Sequence, residues 1–303
     1  MALMSFTKMH GCGNDYVYVD CTEGFALADE AEAARKVSDR HFGIGSDGLI
    51  LIKKGKLADF EMVMYNADGS RSQMCGNGIR CVAKYVYDKK LTNSREFTIE
   101  SMGAIKNITI TKGLPGDKVS YVRVDMGKPI LEAKKIPVKL EGAPALSEAD
   151  RKGEKASESH VISYPLTVSG VEYKTTCVSM GNPHAVVFID KKPSDYSVCE
   201  LGPYFENNEF FPERTNTEFA YVEDRRTIWM RVWERGTGET LACGTGTCAT
   251  VVAAILNGLV DAGEKITVHL LGGDLEIEWS GREEDSVVMT GPAETVFNGD
   301  IEI

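Results

Sequence analysis

Two segments carry the pattern that decides the fold: EMVMYNADGSRSQMCGNG at 61–78 and IWMRVWERGTGETLACGTG at 228–246. In each segment an alternating strand pattern is followed by a turn and then by a C-G-x-G tetrapeptide. The two cysteines, Cys75 and Cys243, are 168 positions apart, and the strand ends keep the same offset. A strand, a turn and a tetrapeptide that recur together at one offset indicate a duplicated unit.

The repeat extends toward the N-terminus of each segment. Gly13-Asn14 matches Gly181-Asn182, again 168 positions apart, so the register holds without a gap over some sixty residues. We therefore expect two copies of one domain, each with one cysteine at the same place.

Helices are fewer than strands in the predicted fold. Residues 26–40 predict a surface helix, residues 79–90 a helix with one apolar face, and residues 247–257 a helix buried on all sides and stopped by Gly258. Strands are predicted at 16–20, 60–65, 119–125, 227–234 and 275–279. This mixture predicts an α+β protein.

Composition excludes several classes of protein. The chain has 303 residues, 43% of them hydrophobic, which is ample for a packed core, and its net charge of −11 argues against nucleic-acid and membrane-surface partners. The longest apolar run, 249–256, is too short to span a bilayer. The N-terminus lacks the pattern of a secretory signal, so we expect a cytoplasmic protein.

The eight cysteines are expected to be reduced thiols. None forms a C-x-x-C pair, so we expect no metal site. Four of them have the simplest interpretation as small buried residues: Cys12, Cys21, Cys177 and Cys199.

Cys75 and Cys243 each precede a predicted helix. A helix start exposes unpaired N–H groups and a partial positive charge, which can hold a carboxylate and lower the pKa of a thiol. Two such thiols, related by a repeat, suit a reaction that removes a proton from one face of a carbon and adds a proton to the other face. No distinctive pyridoxal phosphate motif is present, so we expect no cofactor.

Polar residues around these motifs fit a small zwitterionic substrate. Arg235 could grip a carboxylate, and Glu234 or His184 could take an ammonium group or tune a thiol. Asparagines occur in loops and at strand ends at 14, 66, 77, 182 and 216. Each of these residues also has a structural interpretation, as a turn asparagine, a surface arginine or a packed histidine.

The motifs together resemble those of the diaminopimelate epimerase family over essentially the whole chain. They are FTKMHGCGNDY at 6–16, RHFGIGSDG at 40–48, YNADGS with MCGNG and RC at 65–81, SMGNPH at 179–184, FPERTN at 211–216, ERGTGETLACGTG at 234–246 and MTGPA at 289–293.

This resemblance implies an isomerase that works without pyridoxal phosphate and converts LL- to meso-2,6-diaminopimelate, in lysine and peptidoglycan-precursor synthesis. It implies that Cys75 and Cys243 are the catalytic acid/base thiols and that His184 and Glu234 tune them. It assigns substrate binding to Asn14, Asn66, Gly76, Asn77, Asn182, Asn216, Glu234, Arg235, Gly244 and Thr245, with Arg235 on the distal carboxylate.

The resemblance also implies two pseudo-symmetric β-rich domains, each around a central helix, with the active site at their interface. We place one domain at 1–126 plus 292–303 and the other at 127–291, and expect a homodimer. Some family members have Gln at the position of Gly48, so we expect an emptier half-site there. The polar segment 141–159 is longer than the family needs.

Three other functions remain open from the residues alone. A racemase of the same fold could act on another amino acid, although proline racemases typically carry C-G-H-G where this chain has Cys75-Gly-Asn-Gly78. A thiol–disulfide protein would need closely spaced cysteines. A binding module has no need of two thiols in register.

Overall fold

The structure is a computed structural model that describes residues 3–72, 75–114, 118–140 and 160–303. The chain divides into two compact units, which we call unit 1 (Met1–Asp125 with Thr290–Ile303) and unit 2 (Met126–Met289). The polar segment 141–159 lies outside the described residues. In the part of the chain that is described, no helix is long and apolar enough to cross a membrane.

Unit 1 is built mainly of strands. They are β1 (Leu3–Gly11), β2 (Asn14–Asp20), β3 (Gly48–Lys54), β4 (Phe60–Asn66), β5 (Arg71–Ser72), β6 (Glu96–Ser101), β7 (Ala104–Leu114) and β8 (Lys118–Gly127). Its helices are α1 (Glu30–Ser38) and α2 (Gly76–Asp88).

Unit 2 has the same make-up. Its strands are β9 (Tyr164–Val168), β10 (Val171–Ser179), β11 (Pro183–Phe188), β12 (Asn216–Asp224), β13 (Thr227–Glu234), β14 (Gly238–Thr240), β15 (Lys265–Leu270), β16 (Gly273–Glu278) and β17 (Val287–Pro292), which runs past the unit boundary. Its helices are α3 (Val198–Glu206) and α4 (Gly244–Leu256). The last strand, β18 (Glu294–Glu302), pairs antiparallel with β1 and so belongs to unit 1.

The two units share one strand register. Strands β2 and β3 run parallel with Tyr16 opposite Gly48, and β11 and β12 run parallel with His184 opposite Asn216. Both pairs are offset by 168 positions, and α2 and α4 are 13 residues long and begin at the same offset. The duplication expected from the sequence, and with it the α+β class, is confirmed.

Each unit has a central helix that strands surround. Helix α2 packs on β1, β2 and β7, and α4 packs on β10, β11, β12 and β16. Helix α4 is buried almost all round, as its sequence predicts. The prediction of one apolar face for α2 was too narrow, because Arg80 and Lys84 are buried as well, at 0% and 5% exposure. Each cation donates a hydrogen bond to a backbone carbonyl oxygen, Arg80 to that of Gly76 and Lys84 to that of Val119. These bonds satisfy polar groups that have little access to water.

A further helix covers the opposite face of the strands in each unit. Helix α1 does so through Ala33, Ala34 and Val37, and α3 through Phe205. Since side chains alternate along a strand, β12 directs Phe219 toward α3 and its even-numbered neighbours toward α4. The sequence did not predict α3, whose nine residues include a proline.

All eight cysteines lie in the described ranges, and all are thiols. Cys12, Cys21 and Cys177 are buried, as expected, but the expectation for Cys199 is wrong. Cys199 is exposed on α3, where its thiol donates to Oε2 of Glu239 at 3.1 Å.

Candidate active site

Cys75 caps the start of α2. Its backbone is extended (φ −131°, ψ 113°), and its sulfur accepts the N–H of Gly78 at 3.2 Å. The thiol also donates to Oδ1 of Asn14 at 3.2 Å. Helix α2 therefore begins three residues before the predicted start, because a cysteine can cap a helix with its sulfur as Ser or Asp does with oxygen.

Asn14 is held in place from its other side. Its Nδ2 donates to Oδ2 of Asp47 at 2.8 Å, and the same carboxylate oxygen accepts the N–H of Asp15 at 3.1 Å. Asp47 in turn accepts from Arg40 at 2.9 Å. The amide oxygen of Asn14 is thus aimed at Cys75 by a chain of hydrogen bonds.

The first turn of α2 is fixed by a buried cation. Arg80 donates to the carbonyl oxygen of Gly76 and to Oδ1 of Asn77, both at 2.9 Å, and to the carbonyl oxygen of Pro292 at 3.1 Å. Asn77 is 2% exposed. Its side chain is therefore committed to Arg80 through Oδ1, and its backbone belongs to the helix start.

Asn66 and Gly48 lie opposite each other where β3 and β4 pair. The Nδ2 of Asn66 donates to Oγ of Ser70 at 3.0 Å, so this asparagine shapes the following turn. The emptier half-site expected at Gly48 stays a prediction, but the packing explains the glycine itself. A Cβ there would collide with the carbonyl oxygen of Tyr65 and come within 2.8 Å of the Tyr16 ring, so close packing requires glycine.

Cys243 caps α4 as Cys75 caps α2. Its sulfur accepts the N–H of Gly246 at 3.3 Å and lies 3.4 Å from Oγ1 of Thr245. Burial raises the pKa of the Cys243 thiol well above its ordinary range, and the negative charges of Glu234 and Glu218 add to that shift. The helix start and Thr245 act in the opposite direction but do not prevail, so the expected lowering of the pKa is wrong for Cys243.

A buried pair lies close to Cys243. Nδ1 of His184 lies 2.7 Å from Oε1 of Glu218, and both side chains are fully buried. The other ring nitrogen, Nε2, lies 3.0 Å from Oδ1 of Asn182. Two strands place these groups, since His184 is on β11 and Glu218 is on the neighbouring β12.

Asn216 connects the ends of three strands of unit 2, β11, β12 and β13. Its Nδ2 donates to the carbonyl oxygen of Pro183 at 2.7 Å, and its Oδ1 accepts the N–H of Arg235 at 2.9 Å. The guanidinium of Arg235 donates to the carbonyl oxygen of Glu213 at 2.8 Å. At the end of β13, Glu234 accepts from the hydroxyl of Thr240.

One set of possible metal ligands occurs among the described residues. Nδ1 or Nε2 of His184, a carboxylate oxygen of Glu218 and Sγ of Cys243 lie within 4.8 Å of one another. The 2.7 Å separation of His184 and Glu218 is that of a hydrogen bond, whereas two ligands of one tetrahedral zinc ion lie about 3.3 Å apart. We therefore interpret the set as a proton-sharing group.

The structure thus divides the predicted residues between two helix starts. In unit 1 it brings Asn14, Gly76 and Asn77 to Cys75 or its helix turn, while Asn66 faces Ser70. In unit 2 it gathers His184, Glu218 and Thr245 near the sulfur of Cys243. Gly244 is the first residue of α4, and Asn182, Asn216, Glu234 and Arg235 lie at the neighbouring strand ends.

Sequence reasoning missed three residues: Asp47, Arg80 and Glu218. Glu218 had a detectable signal, because its partner at the 168 offset is Ile50, and an acid in place of a core isoleucine is unusual. Arg80 and Asp47 had none, since both residue types are common on surfaces.

The chain is similar to known proteins over almost its whole length. The sequence profile described as diaminopimelate epimerase matches residues 6–132 and 176–296. A diaminopimelate epimerase of Agathobacter rectalis is 54% identical over 300 residues, which cover 99% of this chain and 100% of the relative. The enzyme so named in Methanococcus maripaludis is 51% identical with the same coverage.

Solved structures with the same fold are more distant in sequence. A phenazine biosynthesis protein of the PhzF family from Bacillus anthracis superposes with a TM-score of 0.67 at 17% identity, with full coverage of both chains. A hydroxyproline epimerase from Agrobacterium vitis gives a TM-score of 0.65 at 13% identity, covering 99% of this chain and 91% of the other. These likenesses show the fold alone.

Proposed function

The chain belongs to the diaminopimelate epimerase family and is therefore an isomerase, and we propose that it converts LL-2,6-diaminopimelate to the meso isomer with two thiols and no cofactor. The observation that carries this proposal is the matched pair of cysteine caps. Cys75 and Cys243 each accept a helix N–H at the same offset in two copies of one unit. Membership of this family also indicates the pathway, which is the biosynthesis of lysine.

The proposed reaction transfers two protons. The thiolate of one cysteine takes the α-proton, which becomes its S–H, and the electron pair moves into the substrate carboxylate. The thiol of the other cysteine then donates its proton to the opposite face of the carbon. The enzyme returns with the protonation states of the two sulfurs exchanged.

Backbone N–H groups at the two helix starts supply the stabilisation that this carbanion needs. The first turns of α2 and α4 begin with Gly76 and Gly244, whose lack of a side chain lets a carboxylate approach closely. One well-placed donor of this kind contributes roughly 3–4 kcal/mol to the transition state. Thr245, Asn77 and the strand-end residues Asn14, Asn66, Asn182 and Asn216 complete the proposed substrate site.

Arg235 and Glu234 are the proposed contacts for the distal end of the substrate. Arg235 offers a guanidinium fork for the second carboxylate, and Glu234 carries the opposite charge for an ammonium group. His184 and Glu234 are also the proposed tuning groups for the thiols. This charge pattern distinguishes diaminopimelate from proline, which has one carboxylate.

We also propose the domain division given above, a cytoplasmic location and a homodimer. The domains proposed are 1–126 with 292–303, which carries Cys75, and 127–291, which carries Cys243. Nucleic acid and membranes are not proposed as partners, since the chain is acidic.

The test is proton NMR of LL-diaminopimelate with freshly reduced enzyme in D₂O, without added pyridoxal phosphate. Loss of the α-proton signal together with appearance of the meso isomer supports the proposal. The control is a Cys75→Ala/Cys243→Ala double variant, which should give neither. Unchanged spectra with the folded wild-type enzyme would refute the substrate assignment.

A further inference from the structure

A buried pair of ionisable side chains lies next to Cys243, where unit 1 has an apolar side chain. His184 and Glu218 are both 0% exposed and are joined by a 2.7 Å contact between Nδ1 and Oε1. The residues 168 positions earlier are Tyr16 and Ile50. The duplicated strands therefore place different side chains beside two thiols that are otherwise in equivalent positions.

Ile50 and Glu218 occupy equivalent places under the third residue of their helices. A Cβ at Gly78 of α2 would lie 2.8 Å from Cδ1 of Ile50, and a Cβ at Gly246 of α4 would strike Oε1 of Glu218. Both side chains thus reach the residue whose N–H the cysteine sulfur accepts. Ile50 shows that an apolar residue fills this place in the fold.

The partners of His184 fix the orientation of its ring. Nε2 lies 3.0 Å from Oδ1 of Asn182, and Nδ1 lies 2.7 Å from Oε1 of Glu218. Both ring nitrogens therefore have a hydrogen-bond partner. Removal of the carboxylate of Glu218 would take away the partner of Nδ1.

Glu218 is retained at a cost to stability. Its Oε2 is buried and has no hydrogen-bond partner among the described residues. A buried acceptor without a partner is destabilising, whereas a well-packed apolar residue is not. Packing therefore does not explain a glutamate here.

We propose that Glu218 is a positioning residue for the epimerisation, which holds His184 by Nδ1 and makes the two thiols unequal, with Cys243 as the resident acid. This inference rests on the proposed two-thiol function. In the resting enzyme Cys243 keeps its proton. The resting enzyme is therefore in the protonation state needed by the isomer that gives its α-proton to the Cys75 thiolate and receives a proton from Cys243.

The charged and titratable groups around Cys243 agree with this assignment. Glu218 from β12 and Glu234 from β13 both favour the protonated thiol, while Thr245 and the N–H of Gly246 from α4 favour the thiolate. His184 from β11 lies 2.7 Å from Oε1 of Glu218. The pKa of Cys177, on the neighbouring strand β10, is raised mainly by burial, and the negative charge of Glu218 adds to that shift.

The test measures each thiol separately. The reduced, full-length enzyme is treated with iodoacetamide from pH 6 to 11, and mass spectrometry quantifies alkylation of Cys75 and Cys243. In the wild-type protein we expect the half-maximal pH for Cys243 to lie above that for Cys75. In Glu218→Gln the value for Cys243 should fall while that for Cys75 stays unchanged. Equal midpoints for the two thiols in the wild type would overturn the inference without any variant.

Kinetics separate positioning from a structural role. Glu218→Gln should lower kcat by at least about tenfold with KM changed by less than about threefold, and Glu218→Asp should restore part of kcat. The matched control is Thr217→Val, since Thr217 is fully buried next to Glu218 but points to the other face of β12, and its Oγ1 also lacks a partner in the described chain. This control should keep wild-type kcat and both alkylation midpoints.

Each outcome decides between the two proposals. A folded Glu218→Gln enzyme with wild-type kcat and an unchanged Cys243 midpoint would overturn the role of Glu218 alone. Full epimerase activity in a single-cysteine variant would instead refute the two-thiol reaction, and the alkylation midpoints would still report whether Glu218 acts on Cys243.

Discussion

Cys75 and Cys243 are equivalent caps of two 13-residue helices. Each sulfur accepts the N–H of the residue three positions on, at 3.2 Å in α2 and 3.3 Å in α4. Their surroundings differ, because Cys75 donates to the amide oxygen of Asn14 and Cys243 lies beside Thr245, His184 and Glu218. The repeat conserves the position of the thiol and changes its environment.

Removal of either thiol should abolish epimerisation. In Cys75→Ala and Cys243→Ala we expect kcat for LL-diaminopimelate to fall at least about 10³-fold, because one proton transfer then lacks its acid or base. Measurement is by NMR or a coupled assay. The control is Cys199→Ala, whose thiol is exposed on α3 and should be dispensable.

The single variants also make a more specific prediction. The remaining thiol can still remove a proton and return it to the same face, so each variant should exchange the α-proton of one stereochemical centre with D₂O without inverting it. Either variant that epimerises at more than a tenth of the wild-type rate would contradict the mechanism.

Substitution of Arg235 should act on the distal carboxylate. We expect Arg235→Ala to raise KM for diaminopimelate about 10- to 100-fold with a smaller change in kcat, the range expected for loss of a charge-assisted hydrogen bond. Inhibition by lysine, which lacks the second carboxylate, should change little. Equal losses for both ligands would argue against this contact. Arg225→Ala, in an exposed ion pair with Asp261, is the control.

Gly78 and Gly246 are the third residues of α2 and α4, and replacing each by alanine should change stability by different amounts. Gly246→Ala should lower the free energy of unfolding by about 1–3 kcal/mol, because its Cβ would strike Glu218 and lie 3.2 Å from the Cys243 sulfur. In Gly78→Ala the one close contact of the new Cβ is with the flexible end of Ile50 at 2.8 Å, since Cys75 lies at an ordinary contact distance of 3.4 Å. The better helix propensity of alanine offsets about 1 kcal/mol. We expect it to be near neutral in urea unfolding. A larger loss for Gly78→Ala would show that the two contacts are not as described.

Local pattern explains how much the sequence could predict. Strand β13 was predicted with its observed bounds because Thr227–Glu234 alternates between buried and partly exposed residues. The start of α2 was missed by three residues, since propensity does not favour glycines and a cysteine cap in a helix. Helix α3 was missed because Pro203 breaks its pattern.

Contacts between residues that are distant along the chain could not be predicted from the sequence. The repeat predicted that both thiols stand at helix starts, but it could not show that Glu218 and His184 meet, because that contact depends on the register of β11 and β12. Burial likewise reversed the expected pKa shift of Cys243. A helix start favours the thiolate only while the sulfur remains solvated.

Buried thiols should make the protein less stable at high pH. Burial raises the pKa of Cys81 to about 12 and that of Cys21 to about 11. The contribution of each thiol is therefore fully present below about pH 8.5, the ordinary thiol pKa, and is lost as pH rises toward the folded value. Between pH 9 and 11 the free energy of unfolding should fall by about 1.4 kcal/mol per pH unit for a thiol like Cys81, since the unfolded chain has released the proton that the folded chain keeps.

The test compares urea unfolding at pH 8, 9, 10 and 11 under reducing conditions for the wild type and Cys81→Ala. The variant removes one titrating group, so its stability should fall less steeply with pH, whatever its stability at pH 8. Val82→Ala is the matched control, because Val82 is a fully buried neighbour on α2 that does not titrate. It should lower stability by a similar amount at every pH and keep the wild-type slope. A Cys81→Ala slope equal to that of the wild type would mean that this thiol does not hold its proton in the folded protein.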